Sequence, residues 1–383
     1  MYKLGLFLAL VLPVAVFALP LSDAYGLIKI VAALAGVAVL WASCAGSRFR
    51  RTGLEAPIAF FVAAFAWSFF FSIDRVVSVI GVTSQPFHGA AALIPALLVF
   101  YAVSANSDKW PDGPFVCAGA IAAINGVVCA SQLLGLWDEP FNTVGNGRAL
   151  GTLGSPVFLA AVVAPCLPPV VWLASKRRVW IVPAILGFLA LAASHSRGAW
   201  VAGAAGLLGL LAASGAIRLP FWRLAGVGAL LLALAWPQIA PRLSKSDSGR
   251  LLTWGVAVRA GADRPLTGWG PDTFALLNRQ FKSPEIVREY GDGIIQASAH
   301  NAILQTWATL GLPGVLALLW LIVATWRRLR HESRMDEICN TGRGSAPAFG
   351  AFVAILVVAA VNPVPPMAVY LVAAMTASVL RVR

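Results

Sequence analysis

Charge is what this sequence has least of. Only 12% of its 383 residues are Asp, Glu, Lys or Arg, where about 25% is usual for a soluble chain, and acidic residues number 16 against 29 basic ones. With 59% hydrophobic residues and a mean hydropathy of +0.80, this excludes an ordinary soluble domain and points to an integral membrane protein. The carboxylates are scattered, with no paired Asp motif and no His/Cys spacing, so no metal site is expected. Cysteine adds little. Cys44, Cys117, Cys129 and Cys166 fall in or beside apolar segments and Cys339 in a basic loop, which implies neither a disulfide framework nor a zinc site. Internal repeats and low-complexity tracts are absent.

What the chain has in quantity is apolar segments. A membrane span needs roughly 20 apolar residues, and about twelve stretches qualify as candidates. They lie near 4–21, 26–44, 54–72, 90–105, 114–136, 156–174, 179–194, 199–214, 221–239, 301–325, 347–362 and 366–381. The expected fold class is an all-α polytopic membrane protein. The first segment, with Lys3 alone before it and more spans behind it, reads as an uncleaved signal anchor.

Basic residues orient the spans. With the N-terminus inside, the inner loops hold Arg48, Arg50, Arg51, Lys109, Lys176, Arg177, Arg178, Arg218, Arg223, Arg327, Arg328, Arg330, Arg334 and Arg343, and the tail Arg381 and Arg383. The short outer loops hold Arg75, Arg148 and Arg197, so the pattern is positive-inside. The net charge of +13 is thus a topology signal, and no nucleic-acid partner is implied.

One outer segment is long. From Pro241 to Ala299 the chain mixes Arg and Lys with Asp and Glu and keeps Trp254, Trp269, Phe274 and Phe281. A loop longer than about 15 residues is usually functional or disordered, and this one is too apolar for disorder. "SGRLLTWGVAVRAGADRPLTGWGPDTFALLNRQF" reads as helix, Gly/Pro turn, helix, and Leu251 to Arg259 looks amphipathic enough to lie on a bilayer surface. Three divisions follow: 1–240 with nine spans, 241–299 as a large periplasmic helical loop, and 300–383 with three spans.

Ionisable groups at the rim of a membrane are costly and therefore functional candidates. On the outer side these are Arg148, His195, Arg197, Arg250 and His300, with Asn301 beside the last. Arginine offers a planar fork that pairs bidentately with phosphate oxygens and keeps its charge, so Arg197, Arg250 and Arg148 suit a lipid-linked pyrophosphate. The competing reading for such residues is snorkelling to lipid headgroups, and it is preferred for Arg75. His300, if placed on the first turn of its helix, would be held neutral by the helix dipole and able to accept a proton. The competing reading is a histidine that caps the helix. His195 reads as structural, and His88 stays undecided.

These residues carry a resemblance. "HNAILQTWATLGLPG" resembles the His-Asn-x-x-Leu-Gln…Gly-x-x-Gly signature of the bacterial O-antigen ligase and polymerase superfamily, and "SHSRGAW" its Ser-Arg-Gly element. "SGRLLTW", "RPLTGWGPDTF" and "GRALGTLGSP" are similar to further elements, and all stand in the family's order over roughly residues 70 to 325. The resemblance implies twelve transmembrane helices with a periplasmic helical loop. It also implies glycan transfer from undecaprenyl pyrophosphate with no metal, nucleotide sugar or other cofactor, with Arg197 and Arg250 on the pyrophosphate and His300 as base or acceptor-orienting group. The expected function is an O-antigen ligase of the bacterial inner membrane that moves a glycan onto a lipid A-core hydroxyl at the periplasmic face. A polysaccharide polymerase and a protein O-glycosyltransferase share these motifs. From another class, a lipid-linked glycan flippase would line its route with polar residues, yet Lys29 is the only charge well within a span.

Overall fold

The computed structural model describes residues 1–17, 27–81, 89–137, 147–216, 246–291, 295–339 and 344–380, with Phe141 and Gly293. The expected ninth span near 221–239, the start of the long loop and His88 lie outside them. Every regular element among the described residues is a helix.

Apolar runs rich in Ala, Leu and Val set the helices, and Pro or Gly interrupts them. The first is α1 (Tyr2–Leu10), continued as α2 (Leu12–Ala15) around Pro13. Lys29, near the start of α3 (Leu27–Ala42), donates its ammonium to the carbonyls of Pro13, Val14 and Val16 at 3.2, 2.9 and 2.6 Å. The intramembrane charge is therefore a cap for carbonyls that a helix end leaves orphaned. Next come α4 (Glu55–Phe70), the short α5 (Arg75–Ile80), α6 (Ala90–Asn106) and α7 (Gly113–Leu133). The following apolar run is α8 (Pro156–Val163) and α9 (Leu167–Lys176), joined through a 3-10 turn at Ala164–Cys166 where Pro165 withholds its N–H.

Helices α10 (Ile181–Ala193) and α11 (Arg197–Ala213) follow, and the long loop holds α12 (Ser246–Asp263), α13 (Phe274–Gln280) and α14 (Pro284–Tyr290). The chain closes with α15 (Ala302–Cys339), α16 (Ser345–Val361) and α17 (Pro366–Val379). Helix α7, the joined run Pro156–Lys176 and α15 are long and apolar enough to cross a membrane, and eight shorter apolar helices stand at other expected positions. Helix α15 runs on to Cys339, well past the expected end near 325.

Glycines let the helices close on each other. A Cβ on Gly206 would lie 3.0 Å from the Gly350 carbonyl, and one on Gly350 2.7 Å from that of Gly206. The α11–α16 pair thus packs backbone to backbone, as small residues permit in membrane bundles. The main core gathers residues such as Leu6, Val99, Phe115, Leu167 and Tyr370. A second, smaller core belongs to the loop: Val256, Ala257 and Ala260 of α12 pack with Trp269, Phe274 and Leu277 and meet Ala308 of α15. Leu251 and Val258 of α12 remain exposed.

The loop is stitched into α15 at Gly311. There φ is +69°, a conformation glycine adopts without the Cβ penalty, and the helix breaks. Pro313 has no N–H for the Thr309 carbonyl, and Leu312 N donates instead to Pro265 O at 2.7 Å. The two freed carbonyls are taken up from the loop: Trp269 N donates to Ala308 O at 3.2 Å and Gly270 N to Thr309 O at 2.9 Å. Gly268 must be glycine as well, because a Cβ there would collide with the Thr309 carbonyl. The "TGWGP" and "TLGLPG" stretches are two halves of one junction. Ser78 Oγ, donating to Pro271 O at 2.9 Å, ties α5 to the same place.

Candidate functional site

Beside this junction, the chain brings together the start of α11, the start of α12, the entry to α15 and the end of α16. Asn301 opens α15 by capping it: its Oδ1 accepts from the backbone N–H of Ile303 and of Leu304, both at 3.0 Å, and its Nδ2 donates to Ala360 O at 3.0 Å. That bond fastens the α15 entry to the last turn of α16. One residue on from Val361 is Asn362, 1% exposed, whose Oδ1 receives a long contact of 3.5 Å from Arg250 Nη2. Gly198, first after Arg197 on α11, faces the same side chain: a Cβ on it would be 3.1 Å from Asn362 Nδ2 and 2.9 Å from Val361 Cγ2. The Ser-Arg-Gly element therefore needs its glycine so that the arginine-bearing turn can approach Asn362.

His300 lies between these groups and outside the helix. It precedes the cap rather than occupying the first turn, with φ at +53°. Its backbone N–H donates to Ser298 Oγ at 3.1 Å. Its pKa is lowered to about 4, first by burial and then by the charge of Arg250. The expectation that the helix dipole holds the ring neutral is thus replaced: desolvation and a neighbouring cation do so. At neutral pH the imidazole is uncharged.

A group of buried donors without partners marks the place. Arg197 Nη1, Trp254 Nε1, Gln305 Nε2 and Asn362 Nδ2, together with His300 Nδ1, are buried and find no hydrogen-bond partner among the described residues. Trp254 follows Arg250 by one turn of α12, and Gln305 follows Asn301 by one turn of α15, so each pair shares a helix face. A buried donor left unpaired costs about 1–3 kcal/mol, so a cluster of them is expensive unless an acceptor-rich ligand arrives.

The other expected residues sit on the turn that leads into Arg197. Arg148 donates from Nε to Ser194 O at 3.1 Å, which places it at the turn from α10 into α11. Its loop is held by α7: Gln132 Oε1 accepts from Leu150 N and Gly151 N at 3.1 and 2.9 Å, and Asn125 Oδ1 from Thr152 N and Oγ1 at 3.2 and 3.0 Å. His195 is exposed on that turn with φ at +49°. Among the described residues, no group of three His, Cys, Asp or Glu side chains gathers as metal ligands would.

From the polar cluster a cavity of about 570 Å³ extends between α4, α6, α15, α16 and α17. Ser298, Asn301, Gln305 and Asn362 line one end, and Ile58, Phe65, Leu97, Ile322, Phe352 and Val372 are among the apolar side chains along its walls. Sequence reasoning missed Asn362 and held Gln305 and Trp254 only within the quoted motifs, without singling them out as site residues. The signals were an asparagine ending an apolar run before "PVPP", and a glutamine one turn beyond Asn301.

No curated protein matches the chain. Residues 182–319, which include Arg197, Arg250 and His300, match the Wzy_C family model, described as O-Antigen ligase, and this match supports the likeness to the O-antigen ligase and polymerase superfamily that the motifs carry.

Proposed function

We propose that the protein is an O-antigen ligase: a membrane glycosyltransferase that moves a glycan from undecaprenyl pyrophosphate to a lipid A-core hydroxyl, without a metal or cofactor. The observation that carries this reading is the meeting of unpaired buried donors with an apolar cavity. Fixed donors beside two arginines suit a pyrophosphate, and the apolar walls suit the hydrocarbon chain attached to it. In this reading twelve spans place the cluster at the periplasmic face of the inner membrane, with residues 241–299 as the periplasmic loop.

The chemistry follows from the residues. The acceptor hydroxyl oxygen forms a bond to the anomeric carbon while the bond from that carbon to the pyrophosphate oxygen breaks. The hydroxyl proton passes to His300, which is neutral in the empty site and becomes a stronger base once the anionic pyrophosphate lies beside it and offsets the burial and the Arg250 charge that lower its pKa. The electron pair leaves with the pyrophosphate, whose growing charge Arg197 and Arg250 stabilise, with Arg148 at the edge. Asn301 fixes the α15 entry, and His195 supports the turn before Arg197.

Reconstitution of the full chain with a prenyl-pyrophosphate glycan, with and without lipid A-core, tests the reading. Transfer to the core is expected. Lengthening of the prenyl-linked glycan instead makes the protein a polymerase, and movement across the bilayer without bond cleavage overturns both.

A further inference from the structure

We infer that Gln305 and Asn362 form a pair of neutral amide donors for the phosphate joined directly to the lipid chain, a task separate from that of the arginines. The inference rests on the lipid-linked donor proposed above.

Both carboxamides are nearly inaccessible, at 3% and 1% exposed, and both line the cavity. Each has its oxygen committed to the protein: Gln305 Oε1 accepts from Ala299 N at 2.8 Å, and Asn362 Oδ1 takes the Arg250 contact. Those bonds orient the side chains and leave both NH2 groups unpaired. The neighbouring polar groups on the wall are differently placed. Thr306 and Thr309 spend their hydroxyl protons on the carbonyls of Ala302 and Gln305, at 2.7 and 2.8 Å, and Ser298 Oγ accepts from His300 N. The two amides thus bring spare donors to the boundary between apolar walls and guanidinium groups, where a headgroup would join its tail.

Neutral donors fit that boundary better than cations. An empty site must keep its groups desolvated, and a charge buried among apolar side chains costs far more than an amide. Arginines set back toward the loop would meet the outer phosphate, and the amides the inner one.

The test uses the full chain in nanodiscs and three probes with one tail: farnesyl pyrophosphate, farnesyl monophosphate and farnesol. Gln305→Glu and Asn362→Asp keep the oxygen contacts and replace the donating NH2 by an acceptor. Gln305→Met removes the donor without adding charge but also the acceptor for Ala299 N; it decides the matter should an acidic variant not fold, with unchanged farnesol binding as the sign that the cavity wall is intact. Each variant is expected to weaken both phosphorylated probes by the same factor, tenfold or more, and to leave farnesol unchanged. Arg197→Ala is expected to weaken the pyrophosphate more than the monophosphate. If the variants keep wild-type affinity for the monophosphate, the amide assignment falls. If the wild type does not prefer the phosphorylated probes to farnesol, the donor reading itself falls.

Discussion

Two buried carboxamide pairs face opposite circumstances. Asn125 and Gln132 on α7 accept from backbone and hydroxyl donors of the loop Leu150–Thr152, and Gln132 Nε2 donates in turn to Phe141 O at 2.8 Å. Gln305 and Asn362 each accept one contact, at 2.8 and 3.5 Å, and leave their NH2 groups without a partner. The first arrangement holds a loop, and the second is incomplete until something binds. Residue type alone does not distinguish the two. Hydrogen-bond accounting does, because a folded chain tolerates orphaned donors chiefly where function uses them.

The contrast predicts where function and stability separate. The largest effect is expected from His300→Ala, which should slow glycan transfer by about 10²–10⁴-fold with donor binding largely intact, measured by turnover and by equilibrium binding. Loss of binding with turnover preserved would reverse the assigned roles. Next, Arg197→Ala or Arg250→Ala should weaken donor binding by about 2–4 kcal/mol; the melting temperature of the empty protein should stay within error for Arg197→Ala, since Arg197 Nη1 has no partner to lose, and fall slightly for Arg250→Ala, which gives up the contact to Asn362 Oδ1. Gln132→Ala should do the opposite: about 2 kcal/mol less stability, because Leu150 N and Gly151 N lose their acceptor, with only a secondary effect on binding through the Arg148 loop. Equal melting temperatures for Gln132→Ala and wild type would erase the distinction between the two pairs.

The smallest effect concerns acid. His300 titrates at about 4 in the folded protein, down from 6.5, so between those values the unfolded chain binds a proton that the folded one refuses. Stability therefore falls as pH drops from 6.5 to 4 and has no contribution from this group above that window. An anionic headgroup beside the ring favours the imidazolium, so donor binding should take up protons within the same window. His300→Gln is expected to flatten both slopes, followed by denaturation and binding from pH 4 to 7.

Much of this was legible in the sequence. Apolar runs gave the helices, and "SHSRGAW", "SGRLLTW" and "SAHN" supplied the residues now grouped about Asn362. What could not be read was long-range pairing. Asn362 meets Arg250 across more than a hundred residues, and nothing local distinguishes it from an ordinary span-ending asparagine. The source of the His300 shift was equally hidden: burial and Arg250 are tertiary facts, whereas the helix dipole is the only cause a local reading can name. The break at Gly311 was concealed as well, since "GLPG" records the interruption but not the strand of backbone that fills it.

That interruption ties assembly to a sequence of events. Until the segment from Pro265 to Gly270 has docked, the carbonyl of Ala308 has no donor and that of Thr309 has only Ser68 Oγ, at 2.7 Å from the helix Glu55–Phe70, a costly state inside a bilayer. The upper part of α15 thus cannot mature on its own. It waits for a partner synthesised earlier and folded enough to reach back and complete it.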